Sequence, residues 1–178
     1  MTTVSGGVCA PKGFRAAGIH AGIRKNQSKK DLMLIVAGAR CAAAAVYTRN
    51  KVFGAPITVT REHLKDGFAR AMVCNSGNAN TCNADGVEKA NAMCALVEAA
   101  TDMSADDVIV ASTGVIGQPL PMEPIERAMP ALAASLSADG AQAAAEAIMT
   151  TDLKVKQIAV EFSLGGVTAR LGAMAKGS

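Results

Sequence analysis

Three short segments combine polar side chains with glycine in a way that packing alone does not explain. Asn75-Ser76-Gly77-Asn78-Ala79-Asn80 directly follows an apolar run that ends at Cys74. Asparagine tolerates left-handed backbone and presents a side-chain amide, so this is a shaped loop with polar reach; an ordinary turn is the alternative. Ser112-Thr113-Gly114 follows the apolar run Val108 to Ala111. A hydroxyl followed by glycine at a strand end can aim an O–H and a backbone N–H at one point, which is what an oxyanion needs. Strand ends beside loops are also where α/β proteins bind ligands. The third segment, residues 172–178, sets Lys176 among small residues that leave its ammonium open to a carboxylate. A solvated chain end is the other reading of it. Thr150-Thr151-Asp152 follows an alanine-dense stretch and on composition alone is a helix stop.

The elements that must position these segments follow from hydrophobic periodicity. Leu32 to Ala37, Ala42 to Thr48, Ile57 to Thr60, Ala71 to Cys74 and Val108 to Ala111 are short, continuous apolar or β-branched runs. Such runs predict strands covered on both faces, hence a layered α/β arrangement. Asp85 opens D-G-V-E, a capping-box pattern, and Val87, Ala90, Cys94 and Val97 then fall on one helical stripe widened by Met93 and Leu96. Pro124 suits the first turn of a second helix that Pro130 would kink, and 138–149 predicts a third. Near the C-terminus, Ile158, Val160, Phe162 and Leu164 alternate with other residues, and Val167, Ala169 and Leu171 do the same after Gly165-Gly166. That pattern predicts a two-residue hairpin.

Composition narrows the function classes. The chain has 178 residues, half of them apolar, but only 3% aromatic, so its core is built from small aliphatic side chains. The densest basic run, Arg24, Lys25, Lys29 and Lys30, lacks aromatics and reads as a solvated loop, so no nucleic-acid partner is expected. No uncharged apolar stretch approaches the ~18 residues a membrane span needs, and nothing resembles an export or transit segment. Five cysteines without a C-x-x-C pair point to reduced thiols and a cytoplasmic location. His20 and His63 stand at no ligand spacing from them, so no metal is expected, and no cofactor motif is present.

The stretches GGVCAPKGFRAAGIHAGIRK, AAAAVYTRNKVFGAP, NSGNAN, ASTGVIG, MTTD and GAMAKGS occur in one order between Gly6 and Ser178. Together they resemble the ornithine acetyltransferase family, the bifunctional glutamate N-acetyltransferases of arginine biosynthesis, and specifically its alpha chain. The resemblance implies a layered α/β sandwich of the self-processing acetyltransferase and aminopeptidase type, with residues 1–178 forming one domain that completes its site with a beta chain. It implies acetyl transfer from N-acetylornithine to glutamate by ping-pong acyl-threonine chemistry, with acetyl-CoA a second donor in the bifunctional members. The precursor would cut itself before the nucleophilic threonine, a few residues past the Lys-Gly-Ser segment, and the chains would form an alpha2-beta2 heterotetramer. Carried onto this sequence, Thr113 and Gly114 form the oxyanion hole through a hydroxyl and a backbone N–H. Lys176 and a threonine of the TTD segment, Thr150 in preference to Thr151, bind the amino-acid substrate. The NSGNAN loop supports the site or the cleavage region. Cys9, Cys74 and Cys82 stand where small residues are expected and read as tolerated variants. Two alternatives stay open: a related self-processing aminopeptidase, which hydrolyses its acyl-enzyme, and a non-catalytic module using the NSGNAN loop for a small ligand.

Overall fold

The structure, a computed structural model, describes residues 1–177; Ser178, the last residue of the GAMAKGS stretch, lies outside the described residues. In chain order the strands are β1 (Thr2–Val4), β2 (Phe14–Ile19), β3 (Leu32–Ala42), β4 (Phe68–Asn75), β5 (Val108–Ser112), β6 (Gln157–Leu164) and β7 (Val167–Met174). The helices are α1 (Ala55–His63), α2 (Gly86–Ala100), α3 (Glu123–Ala134) and α4 (Ala141–Ala147). Among the described residues the strands form two sheets, ordered β2-β3-β4-β5 and β1-β6-β7. In the larger sheet β2, β3 and β4 run antiparallel and β5 joins β4 in parallel, so Asn75 and Ser112 finish side by side.

The runs Leu32 to Ala37, Ala71 to Cys74 and Val108 to Ala111 are strands covered on both faces, as expected. Leu32, Leu34 and Val36 of β3, with Val73, Val108 and Val110, face a core closed by Met93, Cys94 and Val97 of α2 and Ile125, Met129 and Leu132 of α3. Each such side chain, fully removed from water, contributes about 1.5–3 kcal/mol. The other face carries Met33, Ile35, Met72 and Cys74 and meets α4 through Ala144 and Ala147. Layering is therefore dense on one side of the sheet and thin on the other.

Three expectations are corrected. Ile57 to Thr60 is helix, the middle of α1, which Pro56 opens in its first turn. The β-branched residues that suggest a strand serve tertiary contacts instead: Thr60 Oγ1 donates to Val110 O at 2.8 Å and accepts from Val110 N at 3.1 Å. His63 Nδ1 donates to Val108 O at 2.8 Å, so α1 occupies the free edge of β5 with side chains. The strand expected at Ala42 to Thr48 ends as it begins, because β4 starts at Phe68 and pairing stops at Ala42–Phe68. Beyond the bond from Ala43 N to Gly67 O, residues 44–53 are without a ladder, and Tyr47 and Phe53 lie over the Arg61 guanidinium at 4.7 and 5.2 Å. Asp85 does precede α2, but its φ and ψ of −93° and 10° are not those of an extended cap, and it makes no side-chain cap bond. Its carboxylate pairs with Lys89 at 2.8 Å instead.

The alanine-dense stretch yields the short helix α4, and α3 passes through Pro130, which is exposed on its outer side. The hairpin is present as expected, with Leu164 opposite Val167 and Gly165-Gly166 at φ +58° and +81°. Positive φ at both turn positions is the two-residue geometry that matches strand twist. Its apolar face is not buried: Ile158, Leu164, Val167 and Leu171 are all more than half exposed, while Ala159 is the buried member of β6. None of the helices is long and apolar enough to cross a membrane among the described residues.

Candidate functional site

On the thin side of the larger sheet lies an open cavity of about 560 Å³. Met33, Ile35, Met72 and Cys74 line it from the sheet, Ser112 and Thr113 from the end of β5, and Gly172, Ala173, Met174 and Lys176 from the C-terminal segment. Its lining is mostly apolar with a few convergent polar groups, the usual make-up of a small-molecule site. Thr113 and Lys176, far apart in sequence, thus share one cavity. Gly114, the next residue, is exposed and does not line the cavity.

The asparagine loop holds the Ser112-Thr113-Gly114 turn in place. Asn75 is fully buried; its Nδ2 donates to Ser112 Oγ at 2.7 Å and its Oδ1 accepts from Gly77 N and Asn78 N at 3.1 and 2.9 Å. Its carbonyl accepts from Thr113 N at 2.9 Å. One residue therefore fixes both chains at the point where the parallel ladder ends. Asn78 continues the joint: it bridges to Val115, and its Nδ2 donates to Gln118 O at 2.9 Å. Asn80, at φ +48°, donates from Nδ2 to Gly86 O at 2.7 Å and so secures the start of α2. The loop crosses Gly114 so closely that a Cβ there would stand 2.6 Å from Gly77 C and 2.7 Å from Asn78 N. With φ at +132° as well, the position accepts only glycine.

Asp152 is the second joint. Its carboxylate is nearly fully buried and accepts from Lys156 Nζ at 2.6 Å, Gly177 N at 2.9 Å and Thr150 N at 3.1 Å. Lys176 Nζ stands 3.4 Å from its other oxygen and also donates to Gly177 O. The Lys156 bond, then the two backbone N–H groups, hold the Asp152 carboxyl well below the usual carboxylate range. Its ionised form thus stabilises the fold at and above ordinary carboxylate pKa values, and that contribution is lost as pH falls below them. Thr150 joins Lys176 here through its backbone and Thr151 is exposed; neither threonine lines the cavity.

The basic run near residue 24 is more than a solvated loop. Arg24 Nη2 donates to Ser76 O at 2.7 Å, to Ser76 Oγ and to Met149 O at 2.8 Å, so it links the asparagine loop to the chain just ahead of Thr150. Burial lowers its pKa and Asp31 opposes that shift. Lys29 Nζ donates to Thr150 O at 3.4 Å and Lys30 pairs with Glu146 at 2.5 Å. All five cysteines are free, and burial pushes Cys74 and Cys94 up to about 12, so the cavity-lining Cys74 stays a neutral thiol. Sequence reasoning missed the roles of Arg24 and Asp152; the one local signal for the latter is Lys156, four residues on.

Fold and cavity define a mixed α/β protein that presents hydroxyl and ammonium groups above an apolar sheet face. The chain belongs to the ArgJ family, whose profile matches residues 15–178. It is 49% identical over 177 residues to the arginine biosynthesis bifunctional protein ArgJ of Thermosynechococcus vestitus, covering 98% of this chain and 42% of that protein. The protein of the same name from Symbiobacterium thermophilum is 48% identical over 180 residues, covering 100% of this chain and 45% of the relative. This chain therefore spans less than half the length of these relatives. Among solved structures, the arginine biosynthesis bifunctional protein ArgJ of Bacillus halodurans matches with TM-score 0.91 at 39% identity, covering 99% of this chain and 93% of that one. The ornithine acetyltransferase of Mycobacterium tuberculosis, in complex with ornithine, matches with TM-score 0.92 at 38% identity, covering 99% and 95%. The layered α/β architecture is the one these proteins have.

The Asn75 joint gives a direct test of what holds the site. Asn75→Ala orphans the N–H groups of Gly77 and Asn78, at about 1–3 kcal/mol for each buried group. Asn75→Asp keeps both acceptor bonds and takes the Ser112 hydroxyl as donor, so its urea midpoint in the intact protein should fall far less than that of the alanine variant. Equal losses would mean that the Oδ1 bonds carry no weight.

Proposed function

We propose that this chain is the alpha part of a self-processing acyltransferase that moves an acetyl group from N-acetylornithine to glutamate in arginine biosynthesis, with acetyl-CoA a further donor. The observation that carries this reading is the convergence of Thr113 and Lys176 on one cavity in a chain of the ArgJ family. The M. tuberculosis relative, whose structure holds ornithine, supports the substrate class. The nucleophile is a threonine of a beta chain cut from the same precursor. Two features support a partner on this scale: the relatives extend to more than twice this length, and the hairpin leaves a row of apolar side chains in the open. An alpha2-beta2 assembly in the cytoplasm fits this reading.

The chemistry follows from the donors. The threonine hydroxyl is a weak nucleophile, but cleavage frees its own α-amine to accept the hydroxyl proton. The oxygen attacks the acetyl carbonyl, and the Thr113 hydroxyl and Gly114 N–H receive the negative charge on the tetrahedral oxygen. The carbon–nitrogen bond then breaks, ornithine departs with the proton, and an acetyl-threonine ester remains. The amine of glutamate attacks that ester, a new amide forms and the hydroxyl is regenerated. Both amino acids carry an α-carboxylate, so Lys176, with Thr150 on the same Asp152 carboxylate, serves both half-reactions.

Expression of the continuous gene should yield two fragments by mass spectrometry; a single intact product would remove the self-processing mechanism. Thr113→Ala should lower kcat about 10²–10³-fold while ornithine binding changes little, because that donor acts on charge present only in the transition state. Parallel loss of binding, or no loss of turnover, would count against the oxyanion role. Lys176→Met should instead raise KM for both amino acids, and unchanged KM values would refute the carboxylate anchor.

A further inference from the structure

We infer that Lys156 is a positioning residue for substrate capture: by neutralising Asp152 it leaves the Lys176 ammonium available to a substrate carboxylate. The inference rests on the reading of Lys176 as the carboxylate anchor, and it concerns what keeps that anchor from being occupied by the protein's own acid. Asp152 has a side chain only 1% exposed, so its charge requires a partner inside the protein. Two ammonium groups reach it, and they do so unequally. Lys156 Nζ lies 2.6 Å from Oδ1, a full charge-assisted hydrogen bond, whereas Lys176 Nζ stands 3.4 Å from Oδ2. The remaining capacity of the carboxylate is filled by the N–H groups of Gly177 and Thr150. Other cations nearby are engaged elsewhere: Lys29 on Thr150 O and Arg24 on Ser76 and Met149.

One carboxylate and two ammonium groups leave a surplus of one positive charge. Lys176, the member held less closely by Asp152 and otherwise bonded to Gly177 O, is the one that lines the cavity. Without Lys156 the surplus disappears, Lys176 becomes the sole counter-ion of a buried acid, and an incoming carboxylate has to compete with Asp152 for it. The main chain places Lys156 for this task independently of its side chain, since its carbonyl accepts from Ala175 N at 2.9 Å. A side-chain substitution at Lys156 therefore leaves the C-terminal segment attached.

The test uses the intact, processed protein and steady-state kinetics with N-acetylornithine and glutamate, together with calorimetric binding of ornithine. Lys156→Met should raise both KM values and weaken ornithine binding about fivefold or more, with kcat changed less than about twofold, the scale of one added ion-pair competitor. Lys156→Arg should restore both constants. The decisive variant is Asp152→Asn combined with Lys156→Met: removing the acid as well frees Lys176, so KM should return toward that of the parent protein, an outcome that loss of packing at Lys156 cannot produce. Unchanged KM in Lys156→Met, when Lys176→Met raises it, overturns the role of Lys156 alone. No change in either variant removes the anchor itself. A double variant no better than Lys156→Met also overturns the inference, since the defect then does not pass through Asp152.

Discussion

Where two parallel strands end side by side, their last backbone groups have no further ladder to join. At Asn75 and Ser112 this happens inside the protein, where an unpaired N–H or C=O is costly. A side-chain amide at that point solves the problem with its own donor and acceptors: it binds the neighbouring strand through Ser112 and turns its own chain back through Gly77 and Asn78. Everything that makes the cavity polar on this side depends on that arrangement. Thr113 is held because its N–H ends on Asn75, and Gly114 is forced to be glycine because the turned-back chain passes against it.

The other wall of the cavity is organised by charge. A buried carboxylate collects the segment after α4 and the C-terminal segment, and a half-buried guanidinium connects the first of these to the asparagine loop. Loop geometry on all sides is thus set by a small number of polar side chains bonded to the main chain, while the sheet beneath supplies apolar area and rigidity. Such networks are stiff when every member is bonded and weak when one is missing. The distribution of function between the two walls follows from this: neutral donors at the strand end, a cation at the chain end.

Much of the scaffold was readable from the chain, for physical reasons. LMLIVA, AMVC and VIVA are strands because their neighbours cover them on both faces, and continuous hydrophobicity reports that. Gly165-Gly166 announced its turn because only such residues adopt positive φ twice in succession. Ile57 to Thr60 misled because β-branched residues here serve a contact with β5 that no local window contains. Ala42 to Thr48 misled because a strand needs a partner, and the partner's start lies at Phe68. Thr113, Gly114 and Lys176 stood out through motif resemblance. Asn75, Arg24 and Asp152 took their meaning from contacts up to 125 residues away, which spacing along the chain does not encode.

The meeting of Thr60 and His63 with β5 has a consequence for how the protein can grow. A sheet normally offers its outermost strand as a template for another chain. Here Val110 and Val108 already have their outward backbone groups engaged by a hydroxyl and an imidazole. Lateral extension past β5 is closed off by two side chains of a helix. A further strand would have to join at another edge, that of β2 or of the smaller sheet.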